Sequence, residues 1–426
     1  MNPCARLGKT HEDRKVMAVP PPHISTGPIR RAATAPSPWS LINAVWKGGW
    51  LGLFGSIVVL VSMLGGWCST FADEGSGNRR AFASAMPGYA YLFPRDHGSH
   101  EAFQTEWWYF TGHVLTETGR RFGYELTFFR RGVNDSQAWK NPSAWSIRHL
   151  YLAHLALTDE SAGQFRMAEK ISRAGIQKAG ADPDGLHVWI DRWFVLAVPG
   201  FPHRFRLQAQ GEDFSIDLVV DSQKPPVVHG VDGVSRKGQA SGETSHYYSL
   251  TRLVTSGTVQ VGDARLPVTG ESWMDHEFGS TDLAEGLVGW DWFSLQLANG
   301  QEIMAYWLRD ADGGFSPASS GTVVNREGLS RPLTRQDMEV TVEKYWTSPK
   351  SGARYPSQWR FLIPSQDIAL HVSPRMADQE LVTARSTGVT YWEGAVDVTG
   401  TWQGRPVDGR GYVELTGYAM PYRPGS

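Results

Sequence analysis

Cysteine is nearly missing from this chain: Cys4 and Cys68 are the only 2 in 426 residues, and both precede Asp73. A body that starts near Asp73 has no thiol, which excludes disulfides, cysteine metal sites and thiol redox chemistry from it. Metal-protease and serine-nucleophile signatures are also lacking, since neither HExxH nor GxSxG occurs. His149 and His154 stand an odd number of residues apart, so a strand would turn them to opposite faces and deny a metal pair. Nothing in the pattern asks for a metal or an organic cofactor. Strong charge is absent too, with a formal net charge of -2. The first 72 residues are basic and the remainder mildly acidic, which excludes nucleic acid as an expected partner.

Long apolar runs are scarce, with one exception. Between Lys47 and Asp73 the chain reads "GGWLGLFGSIVVLVSMLGGWCSTFA" without a charge. Behind a basic, Pro-rich start this predicts an export signal, with Thr70 and Ala72 offering a cleavage point. An uncleaved anchor is the alternative, because the run is long enough to cross a bilayer. Residues 1–72 are therefore expected to be a leader, the protein periplasmic or secreted, and any membrane contact confined to this segment.

Helical periodicity is also in short supply; no stretch predicts a helix beyond two turns. What is abundant is aromatic: 18 Trp, 14 Tyr and 18 Phe, with 46 Gly and 25 Pro to punctuate them. That mix predicts an all-β protein. Glu106–Arg130 reads as two strands around Thr-Glu-Thr-Gly, and Gly289–Arg309 as two around Ala-Asn-Gly. The hairpins resemble each other, with Trp108-Tyr109-Phe110 set against Trp292-Phe293-Ser294 and each closing on an arginine. Further on, "PVTGESWMDHEFG" from Pro267 is echoed by "PVDGRGYVELTGY" from Pro406. An opening hairpin and a closing strand thus recur in the same order. The period is too long for a solenoid and fits two duplicated domains, either up-and-down antiparallel barrels or strongly curved sandwiches.

The two copies differ where Asp275-His276-Glu277 stands against Glu414-Leu415-Thr416. A strand needs only the second set, so the extra ionisable groups point to a site rather than a solvated loop. An imidazole between carboxylates is a general acid/base set. Strand alternation would put Asp275 and Glu277 on one face and His276 on the other, unless the nearby Gly279-Ser280 marks a strand end or bulge. Trp290-Asp291-Trp292 and Glu106-Trp107-Trp108 add acids among large aromatics, a lining suited to an apolar ligand. Asp291 and Glu106 have a second reading as partners of Arg130, Arg252 or Arg309. "SHYYSLTR" brings Tyr248 beside the Gly-rich loop Lys224–Gly238, which reads as a loop at a barrel mouth. The candidate catalytic residues are therefore Asp275, His276, Glu277 and Asp291. The candidate ligand-binding residues are Glu106, Trp107, Trp108, Tyr248, Trp290 and Trp292.

Together "FQTEWWYFTGH", "FGYELTFFR", "KPPVVHG", "SWMDHEFG", "GWDWFSLQL", "YWEGAV" and "GYVELTGY" resemble the AttH/CrtC family of lipocalin-like proteins, from about Tyr89 to Tyr418. The resemblance implies two lipocalin-like β-barrels in tandem, residues 87–282 and 283–423. One branch of that family comprises carotenoid 1,2-hydratases; another comprises exported predicted hydrolases, often encoded beside transporter permeases. The chain is more similar to the second, with its export run and its "DHEFG". His276 carries over by position, whereas Glu277 and Phe278 depart from the hydratase pattern Asp-His-Asn-Trp. The implied function is an exported protein that binds or acts on a hydrophobic lipid or isoprenoid. Acid/base hydration or hydrolysis is the expected chemistry: Asp275 or Asp291 gives a proton and His276 takes one from water. The alternative is a non-catalytic periplasmic carrier working with an ABC-type membrane transporter.

Overall fold

The computed structural model describes residues 80–422, apart from 144, 241 and 282. The expected leader lies outside these residues. Among them no helix is long and apolar enough to cross a membrane. Among the described residues the one α-helix is the five-residue Ser136–Lys140, its start capped by the Asp135 carboxylate, and strands dominate the rest.

Thirteen strands form one antiparallel sheet that curls into a nearly closed barrel, and ten form a second, half-barrel sheet. At the centre of the first, the opening strand Thr105–Leu115 lies between Arg121–Gly132 and the closing strand Ala264–Gly279. Beyond that closing strand comes Thr244–Val261. The second sheet repeats this order. Leu287–Leu297 lies between Glu302–Asp310 and the closing strand Arg405–Leu415, with Thr390–Trp402 beyond. Pairing of opening and closing strands explains why the two sequence echoes occur in that order.

Matched glycines mark the same bends in both halves. Gly257 pairs with Val268, and Gly400 with Val407, at equivalent places in the two closing pairs. A Cβ on Gly257 would meet the Asp217 carbonyl oxygen at 2.2 Å, and one on Gly400 would meet that of Ala369 at 2.1 Å. Only glycine lets neighbouring strands approach so closely where the sheet turns.

The register corrects the hairpin alignment by one residue. Trp108 pairs with His276 of its closing strand, and Asp291 pairs with Leu415, the counterpart of His276. Trp107-Trp108-Tyr109-Phe110 therefore matches Trp290-Asp291-Trp292-Phe293. A one-residue slip exchanges the two faces of a strand, and the corrected match sorts them consistently. Phe110 and Phe293 lie in the interiors of the first and second barrels. Tyr109 and Trp292 lie together in a third apolar cluster, where the outer faces of the two barrels meet. That seam positions half of the candidate residues.

Candidate functional site

Asp275, His276 and Glu277 are all buried. The closing strand runs unbroken to Gly279, so the alternation holds and the three do not converge. His276 points into the first barrel beside Trp108 and Tyr248, while Asp275 and Glu277 face the seam beside Tyr109, Trp107 and Tyr247. No strand end or bulge brings Asp275 and His276 together, so the scheme in which Asp275 gives a proton and His276 takes one from water is not served by one shared face. A continuous ladder places adjacent side chains on opposite sides of the sheet.

Inside the first barrel, His276 Nε2 lies 2.9 Å from Glu106 Oε1 and its Nδ1 3.0 Å from the Tyr248 hydroxyl. Tyr248 also reaches His97 Nδ1 at 2.6 Å, and His97 Nε2 lies 2.8 Å from His203. Trp108 stacks on His276 at 5.0 Å. Glu106 is fully buried against Arg130 at 2.8 Å. Burial works to raise the Glu106 pKa, but the Arg130 charge and bonds from His100 and His276 outweigh it and hold the carboxyl well below its usual range. Burial keeps His276 low, in its neutral form.

His100, Glu106 and His276 present ligand atoms within 4.8 Å of one another, which is metal-ligand proximity. Glu106, however, already accepts from the His100 backbone and ring, His276 and Arg130. A cation there would have to displace these donors and sit beside a buried guanidinium. The arrangement is better explained as a hydrogen-bonded closure: the same network ties segment 92–103 across the barrel end, with Trp108 and Arg130 donating to the carbonyls of His97 and His100.

The seam is different in kind. Asp275 accepts from Trp273 Nε1 and Tyr247 Oη, each at 2.6 Å, and from Ser249 Oγ. Burial nevertheless pushes its pKa up to about 7. Trp292 donates to the Tyr247 hydroxyl at 3.0 Å from the other barrel. The counterpart of Asp275 in the second closing strand is Glu414, which accepts from Trp290 Nε1 at 3.1 Å. Burial raises it to about 7 as well, with Asp275 and Glu277 adding repulsion. Glu277 is held by Lys237 at 2.7 Å and Ser245 at 2.5 Å. Trp107, Trp290, Leu283 and Leu287 are half-buried along this seam, with Tyr306 and Tyr412 buried beside them.

Glu106 and Asp291, the two acids with a second reading, both make the ion pairs that reading named. Asp291 bonds Arg309 at 2.9 Å and accepts from Tyr418 at 3.0 Å, turned into the second barrel and away from Trp290 and Trp292. Residue-level reading missed Glu125, Glu393, Tyr109 and Glu414. Tyr109 donates to Glu393 across the seam at 2.6 Å. The echo of "SWMDHEFG" in "GYVELTGY" already set Glu414 opposite Asp275, and was the available signal. Two surface clefts, of about 140 and 350 Å³, include none of these residues in their walls.

Two lipocalin-like barrels packed through their outer faces, with acids and aromatics buried between them, define the class of protein. The AttH-like family model matches residues 84–418, and the chain belongs to that family. A protein assigned to AttH from Nitrosomonas europaea is 35% identical and superposes with a TM-score of 0.72, covering 79% of this chain and 99% of that one. Kievitone hydratase from Nectria haematococca shares the fold at a TM-score of 0.57 and 16% identity, over 80% of this chain and 97% of that one. Among curated relatives, the dehydratase AsqC of Emericella nidulans is 25% identical over 217 residues, 49% of this chain. Kievitone hydratase of Fusarium solani is 24% identical over 216 residues, again 49% of this chain. The chain spans about 60% of the length of these curated relatives.

Proposed function

We propose that this protein adds water to, or removes it from, a carbon–carbon double bond of an apolar small molecule bound in the seam. The observation that carries this reading is the pair Asp275 and Glu414. They occupy equivalent positions in the two closing strands and meet in one aromatic-walled seam, where burial pushes each carboxyl up to about 7. Two carboxyls near their pKa at neutral pH supply one acid and one base together. The protonated carboxyl gives its proton to one alkene carbon as the π bond breaks. Water attacks the other carbon and loses a proton to the second carboxylate. The product carries a new C–H and a new C–O bond, and dehydration is the reverse. The tryptophan faces steady positive charge during the transfer. His276 takes no part in this scheme, because it lies on the other face with both nitrogens already engaged. The hydratase and dehydratase relatives support the reaction class. Hydrolysis of a polar bond would use the same two groups.

A carrier role finds less support. The first barrel's interior is occupied by its own Trp108, Phe110, Tyr124 and Phe128, where a carrier of this fold would hold its ligand. Export is part of the proposal through the apolar run that precedes Asp73, whereas work beside an ABC-type permease goes with the carrier alternative.

The test uses the molecule recovered by organic extraction of native protein. Incubated in ¹⁸O-labelled water, it is expected to gain a labelled hydroxyl or to lose water. Asp275→Asn and Glu414→Gln should each slow that turnover by about 100- to 10,000-fold while the protein stays folded. Full turnover by Asp275→Asn would overturn the assignment.

A further inference from the structure

Two more acids lie in the seam, and neither has a task in the scheme above. Glu125 comes from the first barrel and Glu393 from the second; both are buried. Their strands touch at Gly123, where an added Cβ would lie 2.8 Å from Ala395 Cβ and 2.6 Å from the Tyr412 hydroxyl. Glu125 and Glu393 stand two residues further along these strands, on the same faces. Glu393 Oε1 accepts from Tyr109 at 2.6 Å, and Glu125 Oε1 accepts from Thr127. The second oxygen of each carboxyl, Oε2, is buried without a hydrogen-bond partner among the described residues.

Two acids so placed both favour the neutral form near pH 7. Burial pushes Glu125 up to about 8 and Glu393 well above its usual range, with Glu414 and Glu125 adding repulsion at Glu393. A protonated carboxyl with a free oxygen is an O–H donor lacking an acceptor. Leaving a buried polar group unsatisfied is costly. Here two such groups come from different barrels into one seam, which is hard to account for by packing alone.

We propose that Glu125 and Glu393 together bind a carbonyl oxygen of the substrate, so that the molecule hydrated or dehydrated in the seam is an α,β-unsaturated carbonyl compound or its β-hydroxy counterpart. This rests on the seam being the reaction site. A carbonyl oxygen has two lone pairs and takes both donors, whereas a pure hydrocarbon satisfies neither. The chemistry gains from the contact. Two O–H donors draw electron density from the conjugated double bond, so water adds at the β-carbon and the oxygen becomes an enol. The enol, formed with a proton from Glu393, collapses as the α-carbon takes the proton of Asp275 and the oxygen returns its proton to Glu393; the water proton passes to Glu414, and the sum is one water added. A neutral buried carboxyl beside a tyrosine is an established way to hold such an oxygen.

The experiment follows tryptophan fluorescence of the whole chain during titration with β-ionone, an isoprenoid enone, and with the hydrocarbon that lacks its oxygen. Trp107, Trp273, Trp290 and Trp292 of the seam report binding. The intact protein should bind the ketone more tightly. Glu125→Leu and Glu393→Leu should each weaken ketone binding about tenfold or more and leave hydrocarbon binding unchanged. Glu125→Gln and Glu393→Gln, whose amides still donate, should keep ketone affinity within about threefold. Equal affinity of the intact protein for the two probes would overturn the proposal, as would Leu variants that hold the ketone normally. Natively extracted material without a carbonyl would do the same. In those cases the seam reading stands or falls separately, on the turnover of Asp275→Asn.

Discussion

Asp275 gives the most direct access to the energetics of the seam. Its carboxyl rises from 3.8 to about 7 because burial disfavours the charged form more than Ser249, Tyr247 and Trp273 favour it. A rise of about three units corresponds to roughly 4 kcal/mol at about 1.4 kcal/mol each. The sign follows from proton binding. Below pH 4 the group is protonated folded or unfolded and has no effect. Between pH 4 and 7 the unfolded chain loses the proton while the folded protein keeps it, so stability falls as pH rises. Above 7 the loss is complete. Glu414 and Glu125 slope the same way, so the wild-type curve alone does not isolate Asp275. Asp275→Asn does. At pH 5 the variant should stand within about 1 kcal/mol of the wild type, poorer hydrogen bonding being offset by the loss the wild type has already incurred there. At pH 8.5 it should be more stable than the wild type, the gap having moved by roughly 3 kcal/mol between the two pH values, since the first part of the loss already lies below pH 5. Removing this charge also relieves Glu414, which works in the same direction. Urea unfolding of both proteins at pH 5, 7 and 8.5 makes the measurement. Parallel curves across that range would refute the claim that a buried acid at this position titrates near neutrality.

Glu106→Gln leaves the buried Arg130 guanidinium without its counter-charge and should cost about 3–5 kcal/mol in urea unfolding, at pH values above the normal carboxylate range. Lys224 ties the loop of the first barrel to the second through Glu302 at 2.6 Å and the carbonyls of Gly300 and Asn325 at 2.8 and 2.7 Å. Lys224→Met should destabilise by about 2–3 kcal/mol, read by unfolding, and should speed proteolysis at the barrel junction; an unchanged midpoint would show that Arg252 suffices to hold Glu302.

The fold was legible because its signals are local. Aromatic-rich hairpins, turn residues and a repeated closing strand are all read along the chain, and the period of two separated His276 from its neighbours. The hairpin alignment slipped by one residue because three consecutive aromatics match almost equally well in either register. Only the pairing of Asp291 with Leu415 fixes it. The contrast between Asp275-His276-Glu277 and Glu414-Leu415-Thr416 pointed toward the site, yet it assigned Glu414 to the strand alone. In the folded chain that acid is buried as the twin of Asp275. Glu125 and Glu393 were beyond reach, because each looks like an ordinary outward acid on its own strand. Their significance depends on what the other barrel places against them.

That dependence explains how such a site arises at all. The outer face of a single small barrel is wetted, so acids there cost nothing and titrate normally. Duplication followed by docking of those faces removes the water from both at once. Asp275 and Glu414 then acquire raised pKa values from the same desolvation, without any change in either barrel's own core. Aromatic residues at Trp107, Tyr109, Trp290 and Trp292 supply the apolar area that drives the docking. For Asp275 and Glu414 the penalty of burial is thus offset by apolar neighbours rather than by ion pairing, unlike Glu277 with Lys237 or Glu106 with Arg130. Proton-handling groups belong where the compensation is apolar, since a paired carboxylate such as Glu106 is fixed in one charge state while an unpaired one can change it. On that ground we propose the seam, not the interior network, as the place of the chemistry, the network serving the fold.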